Sequence, residues 1–253
     1  TLTVSQVTDS TESLTLDGST ISLTDGASGT TATNGFSYSV SVSSNTATLT
    51  LTKVAGISAA DLQTLIDGIA YSNSSDNPST TNGRVVTLTQ IKDNGGTANG
   101  GVDTTSVSIA ATVTVAAVND APSLNNLNTD SVSFSVGGNA ISLDAGSALT
   151  VTDPDNTTLA SATLQITGGY QSGEDVLAFT NTSNMGNIAG NWDSGSGTLT
   201  LTSSGASATL TEWAAALTAV TYQDTLASTV NTGARTVTVI VKDRVEDILA
   251  AER

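Results

Sequence analysis

Apolar and polar side chains alternate with period two through much of this chain. The runs RVVTLTQI from Arg84, TTSVSIAATVTVAAV from Thr104, VSFSV from Val132, TLQI from Thr163 and RTVTVIV from Arg235 all show it. Successive side chains of a strand point to opposite faces, so this pattern predicts strands with one face buried. The Gly- and Asn-rich DNGGTANGG, Asp93 to Gly101, lies between two such runs and reads as a hairpin tip. Two stretches switch to helical spacing. Leu62, Leu65, Ile66 and Ile69 follow Ser58, and Trp213, Leu217 and Val220 follow Thr209. Each is preceded by a capping signature, S-x-x-D at Ser58 and Asp61 and T-x-x-E at Thr209 and Glu212. Both apolar stripes should lie on a sheet.

The two helices belong to a repeat. Ala47 to Asp93 and Gly197 to Asp243 share landmarks in one order: a TLTLT strand (Thr48–Thr52 and Thr198–Thr202), the capped helix, a Tyr (Tyr71 and Tyr222), an Arg thirteen residues later (Arg84 and Arg235), and a closing Lys-Asp. The expected architecture is all-β: two tandem antiparallel Greek-key β-sandwiches, residues 1–121 and 122–253, each with one short helix. The copies differ at their heads. Unit two has a longer segment before its TLTLT strand, so unit one has a shorter head or lacks an N-terminal strand.

Composition narrows the function. The chain has 253 residues, 38% of them hydrophobic, enough for two modest cores. Acidic residues outnumber basic ones 23 to 7, a net charge of -16. The excess is shared: 10 acidic and 3 basic residues precede Pro122, and 13 and 4 follow it. Such a field attracts cations and disfavours nucleic acid and anionic membrane surfaces. There is no Cys and no His, which removes disulfides, zinc centres of the usual kind and the commonest general base. No apolar run is long enough to span a bilayer, so no membrane insertion is expected. A start at Thr1 with no visible signal peptide fits an excised segment or a processed product.

Several of these motifs together resemble the cadherin-like (CSPG-like) tandem repeats of large bacterial surface adhesins. They are VAAVNDAP, Tyr71 with its following N-x-S-D-N-P, GRVVTLT, VTDPDN, GGYQSGEDVLAF and WDSGSGTLTLT. The likeness covers nearly the whole chain. It implies extracellular cadherin- or Ig-like sandwiches strung in series, often with Ca²⁺ at their junctions. One departure stands out: unit two closes on KDRVEDILAAER with no final NDAP strand. That last strand is missing, or the C-terminus is remodelled or pairs elsewhere.

Ca²⁺ takes oxygen ligands from Asp, Glu, Asn and backbone carbonyls, so spaced acids in loops are its signal. Asn119 and Asp120 end the Val113 strand run, and Asp153, Asp155, Asn156 and Asp243 sit in loops expected to face them. Each also has a plainer reading: NDAP and DPDN both make Asx-turns beside a proline. In unit one Asp93, Asn94 and Asp103 occupy the equivalent hairpin, a half-built site. Glu174-Asp175 adds a ligand or simply starts a solvated strand. Arg84 and Arg235 read as structural partners of an acid or carbonyl. Trp213, Tyr71 and Tyr222 read as core, and Trp192 as the one candidate sugar platform. No enzymatic constellation is present: a Ser nucleophile would lack a His base, no acidic pair has aromatic subsites, and GGTANGG lacks the P-loop Lys. The chain is therefore expected to be a non-enzymatic adhesin spacer, secreted to or displayed on the cell surface and stiffened by Ca²⁺. Its partners would be neighbouring repeats or other copies of itself. Two rival readings are a self-assembling fibre or layer subunit that exchanges strands between copies, and a carbohydrate-binding module.

Overall fold

A computed structural model describes residues 1–128, 130–226, 232–243 and 250–251. The chain divides into two compact units, Thr1–Val118 and Asn119–Arg253, and both are built from antiparallel sheets. Only two α-helices occur among the described residues.

Unit one contains β1 (Leu2–Val4), β2 (Glu12–Leu16), β3 (Ser19–Ser22), β4 (Ser28–Thr30), β5 (Ser37–Ser43), β6 (Thr46–Thr52), α1 (Ala59–Asp67), β7 (Ala70–Asn73), β8 (Arg84–Lys92) and β9 (Thr104–Val113). One sheet runs β4-β5-β6-β1-β8-β9 and the other β3-β2-β7. Alternation does what the sequence predicts. In β6, Ala47 and Leu49 are buried, while Thr46 and Thr48 are half-buried and Thr50 and Thr52 exposed. Leu2, Val4, Leu14, Leu16, Ile21, Val40 and Leu88 complete the core.

Unit two contains β10 (Ser123–Asn125), β11 (Ile141–Ser142), β12 (Thr150–Thr152), β13 (Thr158–Leu159), β14 (Ser161–Gly168), β15 (Asp175–Ala178), β16 (Ile188–Asp193), β17 (Thr198–Ser203), β18 (Ala208–Thr209), α2 (Leu210–Thr218), β19 (Thr221–Asp224), β20 (Thr236–Lys242) and β21 (Ala250–Ala251). Its sheets run β16-β17-β14-β20-β21 and β11-β19-β15, with the pairs β10-β12 and β13-β18. The core gathers Leu164, Leu177, Leu199, Leu201, Trp213, Tyr222 and Val241.

The duplication reaches further than the matched segments. The pairing β5-β6-β1-β8 recurs as β16-β17-β14-β20, and β2-β7 recurs as β15-β19. The third strand of the smaller sheet differs: β3 pairs with β2, whereas β11 pairs with β19. Both helices start where their caps predict. Asp61 donates its backbone N–H to the Ser58 hydroxyl, and Thr209 and Glu212 close a full capping box. They differ in packing. α2 buries Trp213, Ala216 and Leu217, with the indole N–H donating to the Leu159 carbonyl at 3.0 Å, while α1 buries only Leu65.

Two expected strands are corrected. The run from Thr104 was expected to continue through Val118, yet the ladder ends at Val113, because Val113 faces Arg84, the first residue of β8. Val118 is left 79% exposed. The run Val132–Val136 forms no ladder; Phe134 instead packs edge-to-face on Tyr222, 5.1 Å between ring centres. Side-chain contact, not backbone pairing, places that alternation. At the C-terminal segment, residues 244–249 and 252–253 lie outside the described residues, and Ala250–Ala251 pairs with Val241 and Ile240 of β20.

Candidate metal centre

Unit two opens on Asn119 and Asp120, and these residues meet two other loops of the same unit. The turn after β12 carries Asp153, Pro154, Asp155 and Asn156. Asp153 Oδ1 accepts the backbone N–H groups of Asp155 (3.1 Å) and Asn156 (2.7 Å), an Asx-turn that a proline between the two acids favours. The turn therefore forms, and it leaves the other carboxylate oxygen uncommitted. Asp153 Oδ2 is buried and has no hydrogen-bond partner. Asp243 follows the last residue of β20 and is 2% exposed.

Carboxylate oxygens of Asp153, Asp155 and Asp243 lie within 4.8 Å of one another. The asparagines knit them together. Asn119 Nδ2 donates to Asp243 Oδ2 at 2.7 Å, and Asn156 Nδ2 donates to the same oxygen at 3.3 Å, to Asn119 Oδ1 at 3.1 Å and to Asp155 Oδ1 at 2.8 Å. The Asp120 N–H approaches Asp155 Oδ2 at 3.4 Å. Burial pushes the Asp153 carboxyl above the usual carboxylate range. The neighbouring Asp155 carboxylate adds to that, against the lowering effect of the two backbone N–H groups. All donors available here are oxygens, as a hard divalent cation requires. Rotating either asparagine amide presents its carbonyl oxygen in place of an N–H. The three carboxylates with the two asparagines are a group able to hold a metal ion.

The residues expected at unit one's own half-built site have other partners. In unit one Asp103 pairs with Lys92 at 3.1 Å and accepts from the Thr104 hydroxyl, which together hold its carboxyl below the usual range. Asp93 accepts the Gly95 N–H and shapes the hairpin tip. Asp175 is neither a metal ligand nor a solvated strand start, because it is 1% exposed and bonded to Arg235 and Tyr222.

That contact is half of a duplicated device. In unit one Arg84 donates to both Glu12 oxygens (2.8 and 3.1 Å), reaches Asp9 at 3.2 Å, and donates to the Ser79 and Asn82 carbonyls. Glu12 is 1% exposed. Burial would raise its carboxyl, but the bond from Arg84 and the N–H groups of Asp9 and Thr8 outweigh burial and hold it below its ordinary value. Tyr71 lies against the same carboxylate, and burial with the Glu12 charge pushes its phenol up to about 12. In unit two Arg235 donates to Asp175 at 2.7 Å, the Tyr222 hydroxyl donates to Asp175 at 2.6 Å, and burial with that bond pushes Tyr222 up as well. The arginine reading from sequence holds. What it missed were the acids, Glu12 and Asp175. The structure gives them a shared offset, two residues before Leu14 and Leu177, which pair with Tyr71 and Tyr222. Trp192, the sugar-platform candidate, is half-buried and meets Tyr170 edge-to-face at 6.4 Å.

No protein-family model, no curated protein and no solved structure matches this chain. Its function therefore rests on the geometry above.

Proposed function

We propose that this chain is a pair of cadherin-like, Greek-key β-sandwich repeats from a bacterial surface adhesin, a non-enzymatic spacer stiffened by Ca²⁺. The supporting observation is the convergence of Asp153, Asp155 and Asp243 with the two asparagines around one point, where Asp153 keeps a buried oxygen without a partner. Asn119, Asp120, Asp153, Asp155, Asn156 and Asp243 would hold the ion. Bound there, Ca²⁺ ties the first two residues of unit two to the 153–156 turn and to the end of β20. Without it, three acids repel one another across the hydrogen bonds that Asn119 and Asn156 make to them. A segment fixed in this way cannot swivel where it enters its unit, which is the property a spacer needs. The setting is the cell exterior, where modules of this type bind Ca²⁺ with Kd on the order of 0.1–1 mM. The partners are neighbouring repeats or other copies of the chain.

Thermal unfolding in EDTA and then in Ca²⁺ tests the reading. A ligand that binds only the folded state adds RT ln(1 + [L]/Kd), about 2.7 kcal/mol at 100 times Kd. Unit two should melt several degrees higher in Ca²⁺. Asp153→Asn, which keeps an Asx-turn acceptor but removes the charge, should lose most of that gain, as should Asp243→Asn. An unchanged melting temperature in Ca²⁺ would leave the cluster as two turns and an amide clasp.

A further inference from the structure

Asparagine followed by glycine occurs four times in the chain, at Asn34, Asn82, Asn94 and Asn99, and all four steps lie in unit one. The dipeptide carries its own chemistry. The glycine backbone nitrogen can attack the asparagine carboxamide carbon and close a succinimide ring, because glycine has no side chain to obstruct the approach. The attack requires a carboxamide free to turn, a nitrogen free to give up its proton, and a peptide plane free to rotate into line.

Each of the first three steps is restrained. Asn34 is half-buried. Its Nδ2 donates to Asp17 Oδ1 at 2.6 Å, its N–H donates to Asp17 Oδ2 at 3.0 Å, and its carbonyl accepts from Lys53 Nζ. The Asn82 carbonyl accepts from the buried Arg84 at 2.9 Å, so turning that peptide plane takes an acceptor from the guanidinium. Gly83 also lies close on β9: a methyl added there would stand 3.2 Å from the Val113 carbonyl oxygen. Asn94 is exposed, but the nitrogen that would attack it is engaged, since the Gly95 N–H donates to Asp93 Oδ1 at 2.8 Å. A carboxylate that near opposes the negative charge the nitrogen must take on. Asn99 is placed differently. It and Gly100 are exposed in the connection between β8 and β9, and among the described residues its side chain makes no hydrogen bond. Its backbone sits at φ 55°, in the left-handed region that Asn tolerates, and a methyl added to Gly100 would meet nothing within 4 Å.

We propose that Asn99 is a site of spontaneous deamidation, the Asn-Gly step that the folded chain leaves reactive. The Gly100 nitrogen gives up its proton and bonds to Asn99 Cγ. The Cγ–Nδ2 bond breaks, and the amide nitrogen leaves as ammonia, taking up a proton. Water then opens the succinimide at either carbonyl, giving an aspartyl or an isoaspartyl residue. Only water is consumed. The product carries the net charge one unit beyond -16, on the hairpin that already holds Asp93 and Asp103. The isoaspartyl form also routes the backbone through the former side chain, which lengthens the tip by one carbon. The acidity of this hairpin therefore rises with the age of the molecule.

Mass spectrometry of each Asn-Gly peptide tests this, with the full chain incubated warm in mildly alkaline buffer and digested in acid after set intervals. Asn99 should lose its amide about tenfold faster than Asn34, Asn82 or Asn94, since each hydrogen bond broken before the attack adds to the barrier. Its aspartyl and isoaspartyl products should separate by chromatography. In urea the four rates should converge, because the restraints belong to the fold. In the folded chain Asp93→Ala, which removes the acceptor of the Gly95 N–H, should raise the Asn94 rate toward that of Asn99. An Asn99 that keeps its amide as long as the other three overturns the proposal. So does a rate order that persists in urea, or an Asn94 rate indifferent to Asp93→Ala.

Discussion

Arg84 shows how a charge becomes structural. It is 1% exposed and sits among Glu12, Asp9 and two carbonyls, so its burial is tolerable only because each neighbour compensates for lost water. Removing one partner should cost far more than removing both. Arg84→Ala leaves Glu12 buried and unpaired, and unit one should lose about 3–5 kcal/mol in denaturant unfolding. The double change Arg84→Met with Glu12→Leu should recover much of that. The same network sets two pH limits. Glu12 has a folded pKa below its unfolded one, so its contribution is present above the ordinary carboxylate range and is lost as pH falls through the folded value. Tyr71 works the other way. It keeps its proton up to about 12, whereas in the unfolded chain a phenol titrates near its model value of 10.0. The folded state binds more protons in that window, so stability falls as pH rises from 10 toward 12. Tyr71→Phe should flatten that decline in an alkaline unfolding series.

At the scale of elements, the two helices share a capping signature but differ in dependence on the core. The cap fixes where a helix begins, through orphan N–H groups that any Ser or Thr can satisfy. The buried face fixes how much the unit relies on it. Thr209→Ala should lower the stability of unit two by about 1 kcal/mol. Trp213→Ala, which empties a fully buried indole site, should cost about 3–5 kcal/mol, and both are read from unfolding midpoints. Strands obey a further condition. Val132–Val136 alternates as well as β6 does, yet has no ladder among the described residues, because alternation specifies a face and says nothing of a partner edge.

For the whole molecule, an excess of sixteen negative charges opposes compaction and is relieved by any salt. Melting temperature should therefore climb gradually with NaCl in wild type and Asp153→Asn alike. At matched ionic strength, Ca²⁺ should add a further, saturable rise in wild type only. This separates screening from a site. The sequence by itself determined the all-β class, the duplication, both capped helices and the structural arginines. These depend on local spacing and on residue chemistry, which a linear pattern carries. Tertiary structure alone decided the rest: that Glu12 and Asp175 answer the arginines, and that Asp93 and Asp103 serve their own hairpin. Each of those depends on which strands become neighbours across many tens of residues. That choice is made by burying two apolar faces together, and no single segment records it.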